Sequence, residues 1–514
     1  MSPFDSYLAL LGDDPLDAVH RGLIGRDAVI AGPFGPRRMI YADYIASGRA
    51  LRPIEEWVMD HVLPWYANSH TEASHCGGTM TRMRRAARAA IAGCVGAGPE
   101  HAVIFTGAGA TAGINRLVHL LGAGPGVTVL IGPYEHHSNI LPWRESGAEV
   151  IEIPEAPAGG PDLDALQAAL DAAGGRVIGS FSAASNVTGT LTDVARVTAM
   201  LKAAGAAAVW DYAGGAPYLP IDMGLGMDAV VTSPHKFIGG PGASGVMILR
   251  RDAVVVARPT LPGGGTVRFV SPDSHDYSLS LEAREEGGTP NVIGDIRAAL
   301  VFLTKAAVGQ AEIDARNADW LALGTQRLRA HPMIQLLGNP IAARLPFFSF
   351  RIRDGRDGFI HQQLATRMLS DLHGVQARGG CACAGPYVHH LLGLSLAQSQ
   401  QMRAAILAGD EIEKPGFVRL NLCWAAPRTE VAAILDAVCD LADHAPRHLA
   451  RYRCDRATAI FTPMAAEERA SAQRKRSARP RGAGGNWSRP AAAPACAAHE
   501  RCGNRPATGN APPA

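Results

Sequence analysis

No run of about 18 apolar residues occurs in this 514-residue chain, so a transmembrane helix is not expected. Cysteine is scarce. Nine residues in 514 are too few and too scattered for a disulfide scaffold, which points to a reducing cytoplasm. A charge excess is also missing: 49 Lys and Arg against 47 Asp and Glu leave +2. That balance argues against a dedicated nucleic-acid binder or a polybasic membrane protein. The first residues, Met1 to Ser6, lack a basic segment followed by an apolar one, so no secretory signal is expected. The Gly-Lys-Ser/Thr of a phosphate-binding P-loop is absent from residues 105–115, and glycines at 107, 109 and 113 miss the dinucleotide spacing. A nucleotide-binding dehydrogenase is excluded on that ground. No internal repeat is evident. Beyond residue 465, aliphatic side chains larger than alanine almost vanish, and a disordered low-complexity tail is expected over residues 466–514.

What is present is an alternation. Apolar runs at residues 102–105, 127–131, 150–153, 177–181, 207–210, 229–232 and 245–249 are short and nearly continuous, as strands buried on both faces are. Helical patterns separate several of them, one opened by Asp162 and stopped by Gly174, another opened by Thr192 and Asp193. The pattern predicts α/β architecture with a mostly parallel seven-stranded sheet. From residue 293 long helices over 293–305 and 312–330 lead to separated strands at 347–352, 375–377 and 416–422 and a closing helix over 429–445. Four segments are therefore expected: an N-terminal segment 1–37, a large domain 38–292, a smaller α+β domain 293–465, and the tail.

Ligands on such sheets sit at the carboxyl ends of the strands. Five polar clusters follow five apolar runs. Lys236, preceded by Ser233 and His235, is placed to act as an amine toward a carbonyl. Asp211 closes the run before it and could cap a helix or pair with a protonated ring nitrogen. Phe105 to Asn115 turns through glycine into a helix start, where free N–H groups and the Thr111 hydroxyl suit a phosphate. His136 offers a flat ring, and Asn186 a turn amide. Each cluster has a bland alternative in capping or turn formation; five together point to one site.

In this order Gly109-Ala110-Thr111, Glu135-His136-His137, Ser185 to Gly189, Asp211-Tyr212-Ala213 and Ser233 to Lys236 resemble the class V aminotransferase family. Within it the chain is most similar to the Suf-type cysteine desulfurases and selenocysteine lyases, over about residues 38–445. Residues 41–48 resemble that family's opening motif. The resemblance implies the type I fold of pyridoxal 5'-phosphate (PLP) enzymes, with Lys236 as the Schiff-base lysine. It implies that Gly109, Ala110, Thr111, Ser233 and His235 hold the cofactor phosphate. His136 stacks on the ring, Asn186 meets its phenolic oxygen and Asp211 its nitrogen. Thr289, in Glu286 to Asn291, would reach the phosphate of a neighbouring protomer, which implies a homodimer.

Arg419 resembles the family's substrate-carboxylate clamp, a task suited to a guanidinium. Arg378 followed five residues later by Cys383 matches the desulfurase spacing, with Cys381 two residues before. The expected reaction takes sulfur from L-cysteine to Cys383, leaving alanine. A sulfur-acceptor protein is an implied partner, and no metal is expected. Three positions depart from the family pattern: Gly214 replaces a glutamine, Ala110 a threonine, and Cys381-Ala382 two histidines. Cys381 and Cys383 both remain candidates for the persulfide. Other readings are a different class V reaction on an amino acid, such as transamination, epimerisation or selenocysteine cleavage, and a PLP-fold protein without turnover.

Overall fold

The computed structural model describes residues 2–69 and 71–465, together with the backbone of Ser488–Pro490. All seven apolar runs form strands, and they join one sheet in the order His101–Gly107, Gly245–Arg250, Ala229–Thr232, Ala207–Asp211, Arg176–Ser182, Val127–Ile131, Glu149–Glu152. Only Gly245–Arg250 runs against the rest. Every residue of Val127–Ile131 and Ala229–Thr232 is buried, as helices on both faces require. The edge strand Glu149–Glu152 instead carries an exposed glutamate at each end, which discourages pairing with another chain. The helices Leu163–Ala172 and Val194–Ala203 begin where expected, with the side chains of Asp162 and Asp193 accepting the first free N–H groups.

The smaller sheet is antiparallel, in the order Ile334–Leu336, Phe347–Ile352, Phe417–Asn421, Arg378–Gly380. The strand expected at 375–377 is shorter, Val375–Gln376, and pairs in parallel with Ile40–Tyr41 rather than with this sheet. Residues 40–44 are thereby threaded between the two layers, with Ala42 N–H donating to the Gln376 carbonyl and Asn421 N–H to that of Ala42. The helix Val292–Val308 packs on His75–Cys94, on the large-sheet side. The N-terminal segment packs against the same region: Phe4 and Tyr7 meet Trp57, and the Tyr7 hydroxyl bonds Thr304. Of the expected tail only Ser488–Pro490 is described, paired antiparallel with Gly358–Ile360; the rest of 466–514 lies outside the described residues.

Candidate functional site

Six strands run in one direction, so the turns after Gly107, Ile131, Ser182, Asp211 and Thr232 emerge on one rim. They enclose a cavity of about 520 Å³. Nine of the thirteen expected site residues line it: Gly109, Ala110, Thr111, His136, Asn186, Asp211, Ser233, His235 and Lys236.

One wall is the start of the helix Gly109–Leu120. That end has no side-chain cap from its own N-cap residue, Ala108, and its first residues, 109–111, line the cavity. The Ser233 hydroxyl accepts from Ala110 N–H at 2.9 Å, and the hydroxyls of Thr111 and Ser138 lie 2.7 Å apart. Gly109 has φ +63°, a conformation favouring glycine, and Gly245 lets this turn approach: a Cβ there would lie 2.6 Å from the Gly109 backbone.

The opposite wall carries the titratable groups. Asp211 is buried at the end of its strand and accepts from Ala213 N–H at 2.7 Å; burial raises its pKa. Lys236 ends the turn Pro234–Lys236. Burial lowers its pKa to about 8, with Asp211 opposing. Burial also lowers His136 to about 3 and His235 to about 4, so both rings are neutral at physiological pH. The 41–48 segment braces the lysine turn, with Gly48 N–H donating to the His235 carbonyl at 2.8 Å.

Beside the cavity stand two arginines. Arg378 and Arg419 are directly opposite across the antiparallel pair, which by charge alone is unfavourable. Asp43 lies between them, accepting from Arg378 Nε and Arg419 Nη2, each at 3.1 Å. Arg419 is buried and also donates to the Asn186 carbonyl at 2.8 Å, while its Nε has no partner among the described residues. The Asn186 side chain donates to the Ala382 carbonyl at 2.7 Å, and its buried Oδ1 is unpartnered among the described residues.

Cys383 is exposed on the loop beyond Arg378, and Cys381 is half-buried. Ala382 and Cys383 have φ of 51° and 55°, left-handed values that cost a non-glycine residue roughly 1–2 kcal/mol each. The loop meets the rim through Asn186 and through His137, whose N–H donates to the Cys383 carbonyl at 2.8 Å. Thr289 is exposed and lines no part of this cavity. Gly214 does line it, and a Cβ there would make only ordinary contacts, the nearest at 3.7 Å, so a side chain at this position is not barred by the backbone around it.

Sequence reading missed Asp43, Glu135 and His137 as working members of the site. Glu135 is buried and accepts from Ser182 N–H at 2.8 Å and from Asn139 at 2.6 Å; burial raises its pKa to about 7. All three lie inside the motifs at 41–48 and 135–137, but only their partners reveal their tasks.

The residues present fit PLP. An open helix start with a serine beside it suits a phosphate, a buried carboxylate suits a pyridinium, a lysine of lowered pKa suits an aldehyde, and Asn186 and Arg419 retain unpartnered polar atoms.

The aminotransferase class-V family model matches residues 40–433. Cysteine desulfurase CsdA of Escherichia coli is 29% identical over 372 residues, covering 68% of this chain and 86% of that protein. Probable cysteine desulfurase 2 of Mycobacterium leprae is 31% identical over 345 residues, covering 64% of this chain and 78% of that protein. Among solved structures, the apo cysteine desulfurase of Thermococcus onnurineus superposes with a TM-score of 0.69 at 23% identity, covering 83% of this chain and 98% of that one.

Proposed function

The chain belongs to the aminotransferase class-V family, and from that premise we propose that it is a PLP-dependent cysteine desulfurase. The observation that carries this reading is the attachment of the Cys383 loop to the rim of the Lys236 cavity, where the cavity-lining Asn186 donates to the Ala382 carbonyl at 2.7 Å. Gly109, Ala110, Thr111, Ser233 and His235 would hold the cofactor phosphate, Lys236 its aldehyde, Asp211 its ring nitrogen, His136 its ring face and Asn186 its phenolic oxygen. When bound, PLP supplies an electron sink for the bond cleaved at the substrate Cα.

The remaining work falls to the protein. Arg419 binds the substrate carboxylate, with Arg378 beside it. Asp43 offsets one of the two positive charges, which leaves a net charge of one for a substrate with a single carboxylate. Lys236, with its pKa near 8, exchanges the Cα proton as a general base. Cys383 attacks the substrate sulfur as thiolate. The substrate C–S bond breaks and an S–S bond forms, so L-cysteine and the enzyme thiol become L-alanine and an enzyme persulfide, with no external oxidant. An exposed cysteine then suits hand-over to a sulfur-acceptor protein.

A homodimer in the cytoplasm completes the reading. Thr289 is exposed and does not line its own cavity, and Gly288 before it donates to the Gly264 carbonyl. Among the described residues no helix is long and apolar enough to cross a membrane, and seven cysteines are unpaired.

The test is to supply PLP, L-cysteine and a reductant and to measure alanine and sulfide together. Equal amounts without a keto acid are expected. Cys383→Ser should lose at least about 99% of the activity, as for an essential nucleophile, and retain PLP absorbance. A demand for a keto acid would favour a transaminase. Full activity in the serine variant would move the persulfide to Cys381 or abolish it.

A further inference from the structure

The chemistry above leaves His137 without a task, although it makes two bonds to the cysteine loop. Its backbone N–H donates to the Cys383 carbonyl at 2.8 Å, and its ring Nε2, the part a substitution removes, accepts from Gly385 N–H at 2.9 Å. Gly385 begins the helix Gly385–Leu391, which has no side-chain cap of its own, so His137 satisfies one of its free N–H groups from outside. Accepting at Nε2 places the ring proton on Nδ1 and requires a neutral imidazole. Burial, then the nearby Arg144, lowers its pKa and favours that form. The glycine matters too: a Cβ at 385 would stand 3.1 Å from Nε2.

Two successive left-handed residues, Ala382 and Cys383, need to be held by their surroundings. Asn186 holds the loop at the Ala382 carbonyl. His137 holds it on the other side of the thiol, at 383 and 385. We propose that His137 is a positioning residue that clasps this loop and sets Cys383 over the cavity. The proposal rests on the reading of Cys383 as sulfur acceptor.

The test compares His137→Leu with His137→Gln in the full-length protein, since a glutamine oxygen can accept where Nε2 does. Amide exchange over residues 381–385 reads the clasp without turnover. The leucine variant should exchange there about tenfold faster, as lost local protection implies. Its kcat for alanine formation should fall about 30-fold, as a misplaced reacting group does, with KM changed by less than about twofold, as expected when uniform substrate binding is intact. The glutamine variant should restore most of both. Unchanged exchange in the leucine variant overturns the proposal, as does faster exchange with unaltered kcat or a kcat that glutamine fails to restore. Full turnover by Cys383→Ser would instead place the fault with the acceptor reading, while the exchange measurement still reports on His137 alone.

Discussion

A single carboxylate holds two guanidinium groups that face each other across a strand pair. Asp43 lies 335 residues from Arg378 and 376 from Arg419 in sequence. Removing it leaves Arg419 buried with its charge unmatched, and breaking a buried pair in that way costs about 3 kcal/mol. Arg378 is about half exposed, at 49%, so its own loss should cost less than about 1 kcal/mol. Asp43→Ala should therefore lower the urea midpoint well beyond Arg378→Ala, with an unchanged slope. Equal shifts would show that Asp43 is not the anchor of this pair. At this scale the sequence placed Lys236 and Asp211 just after apolar runs, and the structure brings both to one cavity, while Cys383, read from its spacing to Arg378, stands on a loop tied to the rim. Asp43 was not legible, because a lone aspartate in a motif looks the same whether it caps a turn or bridges two distant arginines.

Among the elements, the approach of strand to helix shapes the end of the cavity proposed above to hold the cofactor phosphate. Gly245 opens the antiparallel strand, and the start of Gly109–Leu120 rests against it. A methyl group there would strike backbone rather than a flexible side-chain tip, so the helix start must move. Gly245→Ala should cost about 1–3 kcal/mol of stability, as overpacking does, and weaken PLP binding about tenfold, as lost helix-start contacts would. A cofactor titration and a denaturant melt measure these; unaltered affinity would mean that the helix start takes no part in binding. The seven large-sheet strands were readable because burial on both faces demands continuous apolar runs. Ile334–Leu336 and Arg378–Gly380 were not, since each is three residues long and the second is mostly glycine. Val375–Gln376 was readable as a strand but not its partner, because pairing is set by which segment lies beside it.

For the whole molecule, four exposed apolar side chains lie in or beside one hairpin, while others, among them Leu8, Met59, Leu225 and Leu396, stand on separate elements. Leu261, Phe269, Val270 and Leu279 flank the hairpin of Val267–Val270 and His275–Tyr277, and Leu279 is 85% exposed. Gly288 N–H donates to the Gly264 carbonyl at 2.8 Å, which ties the Thr289 segment to the same region. We propose this hairpin as the surface on which a second copy of the chain docks. Phe269→Asp combined with Leu279→Asp should convert the proposed dimer to a monomer by light scattering and lower PLP affinity, with the monomer still folded by circular dichroism. A dimer that survives both changes would place the interface elsewhere. The sequence by itself determined the α/β class, the order of the strands along the chain and the residues at their ends, because buried strands need apolar runs and chemistry needs particular side chains. Only the tertiary structure decided that Asp43 joins two arginines, that His137 reaches the cysteine loop and that Thr289 faces outward. Those contacts join segments hundreds of residues apart, and the free energy that selects them comes from packing the whole chain, which no local pattern records.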